Sequence, residues 1–239
     1  MAEQVSKGNL YLFPSPLGDA AVDDCLPPLN RHILNTLDHF IVEELRTARR
    51  FLKKAGYKGK IDDTFFFVLN EHTADEEISN YLEPTQEGKG VGLMSEAGLP
   101  CIADPGHKIV ALAHRKGIRV VPLTGPSSLM LALMASGFNG QQFTFHGYLP
   151  VKPHERTKSL KKLEREARLT GYSQIFIETP YRNLSMLETI VTACAPETRL
   201  CIATSLTLPD EFITTMPVSH WKKKVPDIQK KPAVFIIGS

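Results

Sequence analysis

The stretch VGLMSEAGLPCIADPGHKIVALAHRKG, Val91–Gly117, decides the fold. It opens on a short apolar run of the kind that forms a strand buried on both faces. It closes on a segment in which Ile109, Val110, Leu112 and Ala113 recur at helical spacing and Gly117 ends the helix. Between them, SEAGLPCIADPG packs Gly98, Gly106, Pro100, Pro105, Glu96 and Asp104 into a few residues. A plain surface turn needs less backbone control. Strand, Gly-rich loop and helix in that order is the repeating unit of a parallel α/β sheet.

The alternation runs outward in both directions. NLYLFP, closed by Pro14, reads as the first strand. His39–Glu44, Phe65–Asn70, Val91–Glu96 and Ile118–Leu123 supply four more. EELRTARRFLKKAG puts Leu45, Ala48, Phe51 and Leu52 on one helix face and stops at Gly56. TADEEISNYLE opens with Thr73 and Glu76 at capping-box spacing, which predicts a further helix. The first half is therefore expected to be a mostly parallel sheet covered on both faces.

The second half differs. GPSSLMLALMASG predicts an apolar helix with Pro126 at its start and Gly137 past its end. FTFHGYLP, SQIFIETP, RLCIATSL, DEFITTM and PAVFIIG read as strands. TPYRNLSMLETIVTAC reads as a helix capped by Thr179 with Pro180 in its first position. The short gap between Leu200 and Thr215 requires antiparallel pairing, so this sheet is mixed. The reading is two α/β domains, residues 1–123 and 124–239, with the first few residues loose.

Composition excludes several classes. The 239 residues are 42% hydrophobic and 23% charged, ordinary for a soluble globular chain. A net charge of +2 confines any nucleic-acid surface to a local patch. The four Cys, at 25, 101, 194 and 201, form no C-x-x-C pair, so no metal site is expected and the thiols are read as reduced. No apolar run reaches membrane-span length and the N-terminus lacks a signal-peptide core, which predicts a cytoplasmic protein.

Ligands of parallel α/β sheets sit beyond the carboxyl ends of the strands. Three loops there carry unusual chemistry. FPSPLGD, Phe13–Asp19, fixes φ at Pro14 and Pro16 and frees it at Gly18. SEAGLPCIADPG offers Gly98 for close approach and Asp104 as a helix cap or ligand acceptor. TGPSSL opens a helix whose free N–H groups, with Ser127 and Ser128, can hold a carboxylate. Any one such loop is usually only a turn; three at one sheet edge point to a binding site. GKGVG, Gly88–Gly92, is no dinucleotide loop, because it precedes its strand.

SPLGD, EELRTARRFL, SEAGLPCIADPG, TGPSS, GYLP and IFIETPYRN, in this order and spacing, resemble the tetrapyrrole methylase superfamily. Within it they are most similar to the branch of ribosomal small-subunit (16S) rRNA cytidine 2′-O-methyltransferases, from about Gly8 to Gly238. The resemblance implies a two-domain α/β methyltransferase that uses S-adenosylmethionine, forms a homodimer and holds the cofactor between its domains. It implies cofactor contacts at Pro16, Gly18, Glu96, Ala97, Gly98, Asp104, Pro105, Gly106, Ser127 and Ser128. The sequence also departs from the branch. Glu96 stands where Asp is usual, Asp19 where Asn is, and Glu43-Glu44-Leu45-Arg46 replaces E-D-T-R. LTLPDEF puts Leu208 where the branch has Lys, and no residues matching the branch's small C-terminal extension follow VFIIGS.

Methyl transfer from a sulfonium needs positioning above all, and a hydroxyl acceptor also needs its proton removed. Glu43, Glu44, Asp19, Glu96 and His146 are candidates for that base or for orienting the acceptor. Motif position favours Glu44 with Arg46 as the catalytic pair; the alternative is two solvated helix charges. VKPHERTKSLKKLEREARL concentrates Lys152, Arg156, Lys158, Lys161, Lys162, Arg165 and Arg168. It is either an RNA phosphate contact or a solvated helix paired by Glu155, Glu164 and Glu166. Cys101 has no base beside it in sequence and reads as packing. A methyltransferase acting on a tetrapyrrole-like or other metabolite, and a degenerate binding module, stay open beside the RNA reading.

Overall fold

The computed structural model describes residues 6–238, so the loose terminus read from the sequence lies outside the described residues. These residues divide into two compact units, one ending at Ser127 and the other beginning at Ser128. The division falls past the Leu123–Thr124 boundary read from the sequence because the intervening turn is tied to the first unit. Leu123 N–H donates to Leu12 O (3.1 Å) and Asn30 Nδ2 donates to Thr124 O (2.9 Å).

The first unit is built on five strands: β1 (Leu10–Phe13), β2 (His39–Val42), β3 (Phe65–Val68), β4 (Val91–Met94) and β5 (Val120–Pro122). They lie in the order β3-β2-β4-β1-β5, and all pairs are parallel. β2 and β4 are buried at every residue, as their unbroken apolar runs require. One face of the sheet packs Phe13, Phe40 and Val42 against α2 (Pro28–Leu34) and α3 (Leu45–Lys54). The other packs Leu10, Ile41, Val91 and Leu93 against α5 (His107–Arg115) and the segment around Ile78–Leu82. α1 (Val22–Cys25) is a single turn between β1 and α2.

The capping box at Thr73 does not form. Thr73 Oγ1 accepts from Asn70 N–H (2.9 Å), closing a turn at the end of β3. The helix that follows, α4, is only Asp75–Ile78, and Glu83–Glu87 continues as a 3-10 turn. Gly88 ends that turn at φ +80° and leads into the start of β4, at the edge remote from the strand carboxyl ends.

The second unit opens with α6 (Ser128–Ser136) and has strands β6 (Phe143–Tyr148), β7 (Ser173–Glu178), β8 (Arg199–Thr204), β9 (Phe212–Pro217) and β10 (Ala233–Gly238). Their order is β6-β7-β10-β8-β9; β6 pairs β7 in parallel and the other pairs are antiparallel. One face of this sheet buries Phe176, Ile202 and Phe235 under α7 (Pro153–Thr170), α8 (Asn183–Ala193) and α9 (Val218–Trp221). α6 packs on β8, β9 and β10. α8 begins later than the sequence suggests. Thr179 Oγ1 engages Glu178 and Arg182 instead of capping α8, and Pro180–Arg182 forms a 3-10 turn first. Arg156 leaves the basic surface altogether: it is buried, with Nη2 donating to Ser185 Oγ (3.1 Å).

Gly92, in the middle of β4, lets the Phe40 ring lie flat on the sheet. A Cβ there would stand 2.7 Å from Phe40 Cδ1, and Phe40 is fully buried. Gly92→Ala is expected to cost about 1–3 kcal/mol by overpacking. Urea unfolding checks it: the midpoint falls and the m value stays constant.

Candidate functional site

β1 and β4 are neighbours in register, from Leu10↔Val91 to Phe13↔Met94. Their carboxyl ends therefore release two loops side by side. The loops pair at once. Ser15 N–H donates to Gly98 O (2.8 Å), Gly98 N–H donates to Ser15 O (3.0 Å), and Ser15 Oγ donates to Ser95 O (2.9 Å). Gly98 sits at φ +74°, and a Cβ there would meet Leu17 Cδ2 at 3.2 Å and Pro126 O at 3.6 Å. The backbone angle favours the glycine, and a Cβ would also require Leu17 to shift by a few tenths of an ångström.

The rest of the β4 loop is held by Asp104. Its carboxylate accepts from Cys101 N–H (2.9 Å) and Gly106 N–H (2.7 Å). Cys101 and Ala103 take φ of +71° and +65°, a strained shape for residues with side chains. A Cβ on Gly106 would stand 2.8 Å from Asp104 Oδ1. Asp104 thus shapes the loop from within. Burial pushes its carboxyl up, against the two N–H donors and His107. In the β5 loop, a Cβ on Gly125 would lie 2.2 Å from Pro14 Cβ, so the Pro14 ring fixes that glycine. Ser127 follows in the same loop, and Ser128 is the first residue of α6.

β2 ends in Glu43-Glu44 between these loops and α3. Glu44 is the N-cap of α3, accepting from Arg46 N–H (2.9 Å), Thr47 N–H (2.7 Å) and Thr47 Oγ1 (2.9 Å). These donors hold its carboxyl below the ordinary range. Its link to Arg46 runs through the backbone of Arg46. Glu43 is half-buried, and its Oε2 accepts from Glu96 N–H (2.9 Å). Burial pushes the Glu43 carboxyl up, and the charges of Asp104 and Glu96 add to this against the Glu96 N–H bond.

A cavity of about 460 Å³ opens among these groups. Its lining includes Pro16, Gly18, Glu96 and Ala97 from the loops, Glu43 and Glu44, and an apolar wall of Val42, Phe51 and Met94. Arg46 does not line it, and Asp104, Pro105 and Gly106 meet Glu43 in a separate tight crevice. Among the residues not singled out in the sequence, Thr47, Arg50 and Lys54 line the cavity from α3. Their spacing of three and four residues was the signal, one face of the helix. Lys54 pairs with Asp19 and holds that carboxyl low. Of the other base candidates, His146 lies on β6 in the second unit, with Nε2 2.7 Å from Gln174 Oε1. Cys101 is half-buried, and burial pushes its thiol to about 12, as packing predicts. Among the described residues no His/Cys/Asp/Glu group fit to hold a metal occurs.

Residues 23–221 match the family of Tetrapyrrole (Corrin/Porphyrin) Methylases. The chain belongs to this family. It is 32% identical over 235 residues to Ribosomal RNA small subunit methyltransferase I of Escherichia coli O157:H7, covering 97% of this chain and 78% of the relative. It is 33% identical over 226 residues to the protein of the same name from Thermotoga maritima, covering 92% and 94%. Two solved structures share the fold: the methyltransferase CobJ (TM-score 0.65, 18% identity, 97% of this chain and 94% of that one) and the cobalt precorrin-4 methyltransferase CbiF (TM-score 0.60, 18% identity, 96% and 94%). This family member is an S-adenosylmethionine-dependent methyltransferase. The first unit fits such a donor. Beside its cavity, the loops after β1 and β4 are joined through Ser15 and Gly98, so their backbone is already set, and the Glu96 and Asp104 carboxylates of that rim suit a cation.

Asp104→Ala removes the acceptor for two loop N–H groups and is expected to cost on the order of 1–3 kcal/mol. Hydrogen exchange checks the cause: the amides of Cys101 and Gly106 lose protection while those of β4 keep theirs.

Proposed function

We propose that this methyltransferase acts on RNA of the small ribosomal subunit, with a ribose 2′-hydroxyl as acceptor. The observation that supports it is similarity, along nearly the whole chain, to proteins named for ribosomal RNA methylation. In this reading the rim made by Pro16, Gly18 and the Glu96–Gly106 loop holds the donor. The cavity beside it takes the acceptor nucleotide, its base against Val42, Phe51 and Met94. When bound, the donor supplies a methyl group already activated on a sulfonium. The chain's own task is to orient the acceptor, exclude water and remove a proton.

The second unit contributes a cationic helix face. On α7, Lys158, Lys161, Lys162, Arg165 and Arg168 are all exposed and, at 3.6 residues per turn, lie within a third of the helix circumference. Glu164 is drawn away from this face by Ala195 N–H (2.7 Å) and Thr198 Oγ1. Glu166, near Lys162 at 3.7 Å, stays beside it, and Glu155 pairs with Lys152 (3.5 Å) at the start of the helix. This arrangement suits a row of phosphates better than a self-neutralised helix. The same reading makes the protein cytoplasmic and homodimeric; α6, apolar between Ser128 and Ser136 and with Met134 79% exposed, offers a face for a second copy.

Incubation with donor carrying a labelled methyl group tests the function. Label is expected in small ribosomal subunits, at an alkali-resistant ribose. Label only in a metabolite extract would replace RNA with a small acceptor, and donor binding without transfer to either would leave a binding module. Reversal of Lys158, Lys161 and Lys162 to Glu is expected to weaken RNA binding and flatten its log–log salt slope by about 1 per lost phosphate contact, with donor affinity unchanged. Filter binding across a salt series reads both quantities.

A further inference from the structure

Glu43 stands apart from the other carboxylates around the cavity. Glu44 is consumed by the α3 cap, Asp19 by Lys54, and Asp104 by the loop it shapes. Glu96 is exposed, with its backbone N–H turned to Glu43. Glu43 alone is half-buried, lines the cavity and keeps one carboxylate oxygen uncommitted. Its Oε2 takes the Glu96 N–H, while Oε1 accepts from no group among the described residues. It also directly follows the fully buried strand β2 and lines the crevice of Asp104, Pro105 and Gly106. It therefore adjoins both the cavity and the donor loop.

We propose that Glu43 is the general base of the reaction, its Oε1 taking the proton of the acceptor hydroxyl. The inference rests on the hydroxyl-acceptor reading above. The proton passes from the hydroxyl to Glu43 as the oxygen forms its bond to the methyl carbon, and the electron pair of the broken carbon–sulfur bond stays on sulfur. The cationic donor is thereby neutralised and the carboxylate becomes a carboxylic acid, so charge is conserved.

The surroundings favour a base of raised affinity for protons. Glu96 and Asp104 from the β4 loop, Glu44 beside it and Asp19 from the β1 loop bring negative charge to the same region. Arg50 and Lys54 on α3 oppose it, but Lys54 is spent on Asp19. Burial and the two β4-loop carboxylates push the Glu43 carboxyl up, toward the working pH, where a base is most effective. Because its folded value exceeds its unfolded one, the charged carboxylate costs stability at neutral pH, and that cost fades as pH falls toward the ordinary Glu range. Glu43→Gln is therefore expected to melt no lower than wild type at pH 7.

The test uses single-turnover methylation of small ribosomal subunits across pH, with donor affinity and the Glu43 carboxyl titration by isotope-edited NMR measured in parallel. Wild type should show a rate that rises with pH and levels off at the value at which the Glu43 signal titrates. Glu43→Gln should bind donor within about twofold of wild type, lose about 10²–10⁴ in rate and lose the rising limb. Glu43→Ala should regain rate with added formate, which a merely structural role would not produce. Wild-type rate or an unshifted limb in Glu43→Gln, or a Glu43 signal that titrates as an ordinary exposed carboxyl, overturns the assignment. A wild-type enzyme that transfers no methyl to any hydroxyl overturns the acceptor reading itself, and the assignment with it. Should a variant fail to fold, the wild-type NMR titration and pH profile decide alone.

Discussion

The pair of backbone hydrogen bonds between Ser15 and Gly98 is the constraint on which the site depends. Parallel strands never meet through a tight turn, so the loops after β1 and β4 have no covalent reason to stay together. The two bonds extend the β1–β4 pairing past the strand ends and reverse its sense locally. Gly98 takes a left-handed backbone at this pairing, and a Cβ there would press on the Leu17 side chain at 3.2 Å. Once the loops are joined, one wall of the cavity is fixed, and Glu43 and Glu44 meet it from β2 because β2 is the next strand along β4.

The same geometry sorts carboxylates that look alike in sequence. Asp19, Glu43, Glu44 and Asp104 all lie near the strand carboxyl ends, yet their proton affinities are pushed in opposite directions. Glu44 gains three donors from the start of α3 and is held ionised. Glu43, one residue earlier in the bend after β2, is half-buried with one donor and is pushed the other way. Backbone direction alternates along an extended segment, so neighbouring residues point to different environments. Separating two adjacent carboxylates in this way yields one that builds structure and one that is available for proton transfer.

The fold was legible because its strands are buried on both faces and its helices carry a clean apolar stripe. VGLM and HFIV announce central strands of a parallel sheet, and Ala48, Phe51 and Leu52 announce the inner face of α3, whereas the equally apolar FFFV, which reads as a buried strand, forms the β3 edge with Phe65 exposed. Local side-chain choices were less legible. Thr73 and Thr179 both match a capping pattern, but each hydroxyl has a nearer partner, Asn70 N–H in one case and the Glu178–Arg182 pair in the other. Arg156 belongs by composition to the basic stretch, yet its place on the α7 stripe turns it inward toward Ser185. The loops at the site announced that backbone control was needed without saying by what. Gly98, Gly106 and Gly125 answer mainly to Leu17, Asp104 and Pro14, which are contacts of tertiary structure.

This explains why the departures from the branch motif leave the site standing. At position 96 the structure uses the backbone N–H, which donates to Glu43 whichever acidic side chain is attached. At position 44 a cap needs a carboxylate within reach of the first turn, and the Glu side chain reaches Arg46 N–H and Thr47 N–H as an Asp would. Leu45, where the branch has a hydroxyl residue, packs against the core beside α3. Asp19 brings a charge where the branch has an amide, and Lys54 on α3 neutralises it. In each of these cases the altered side chain either does not carry the contact or has a partner within the same fold. Glu43 and Arg46 keep the residue types of the branch motif, and of these Glu43 lines the cavity. The rim is made largely of backbone contacts, which survive a change of side chain, while Glu43 meets the cavity with a carboxylate oxygen that accepts from no group among the described residues.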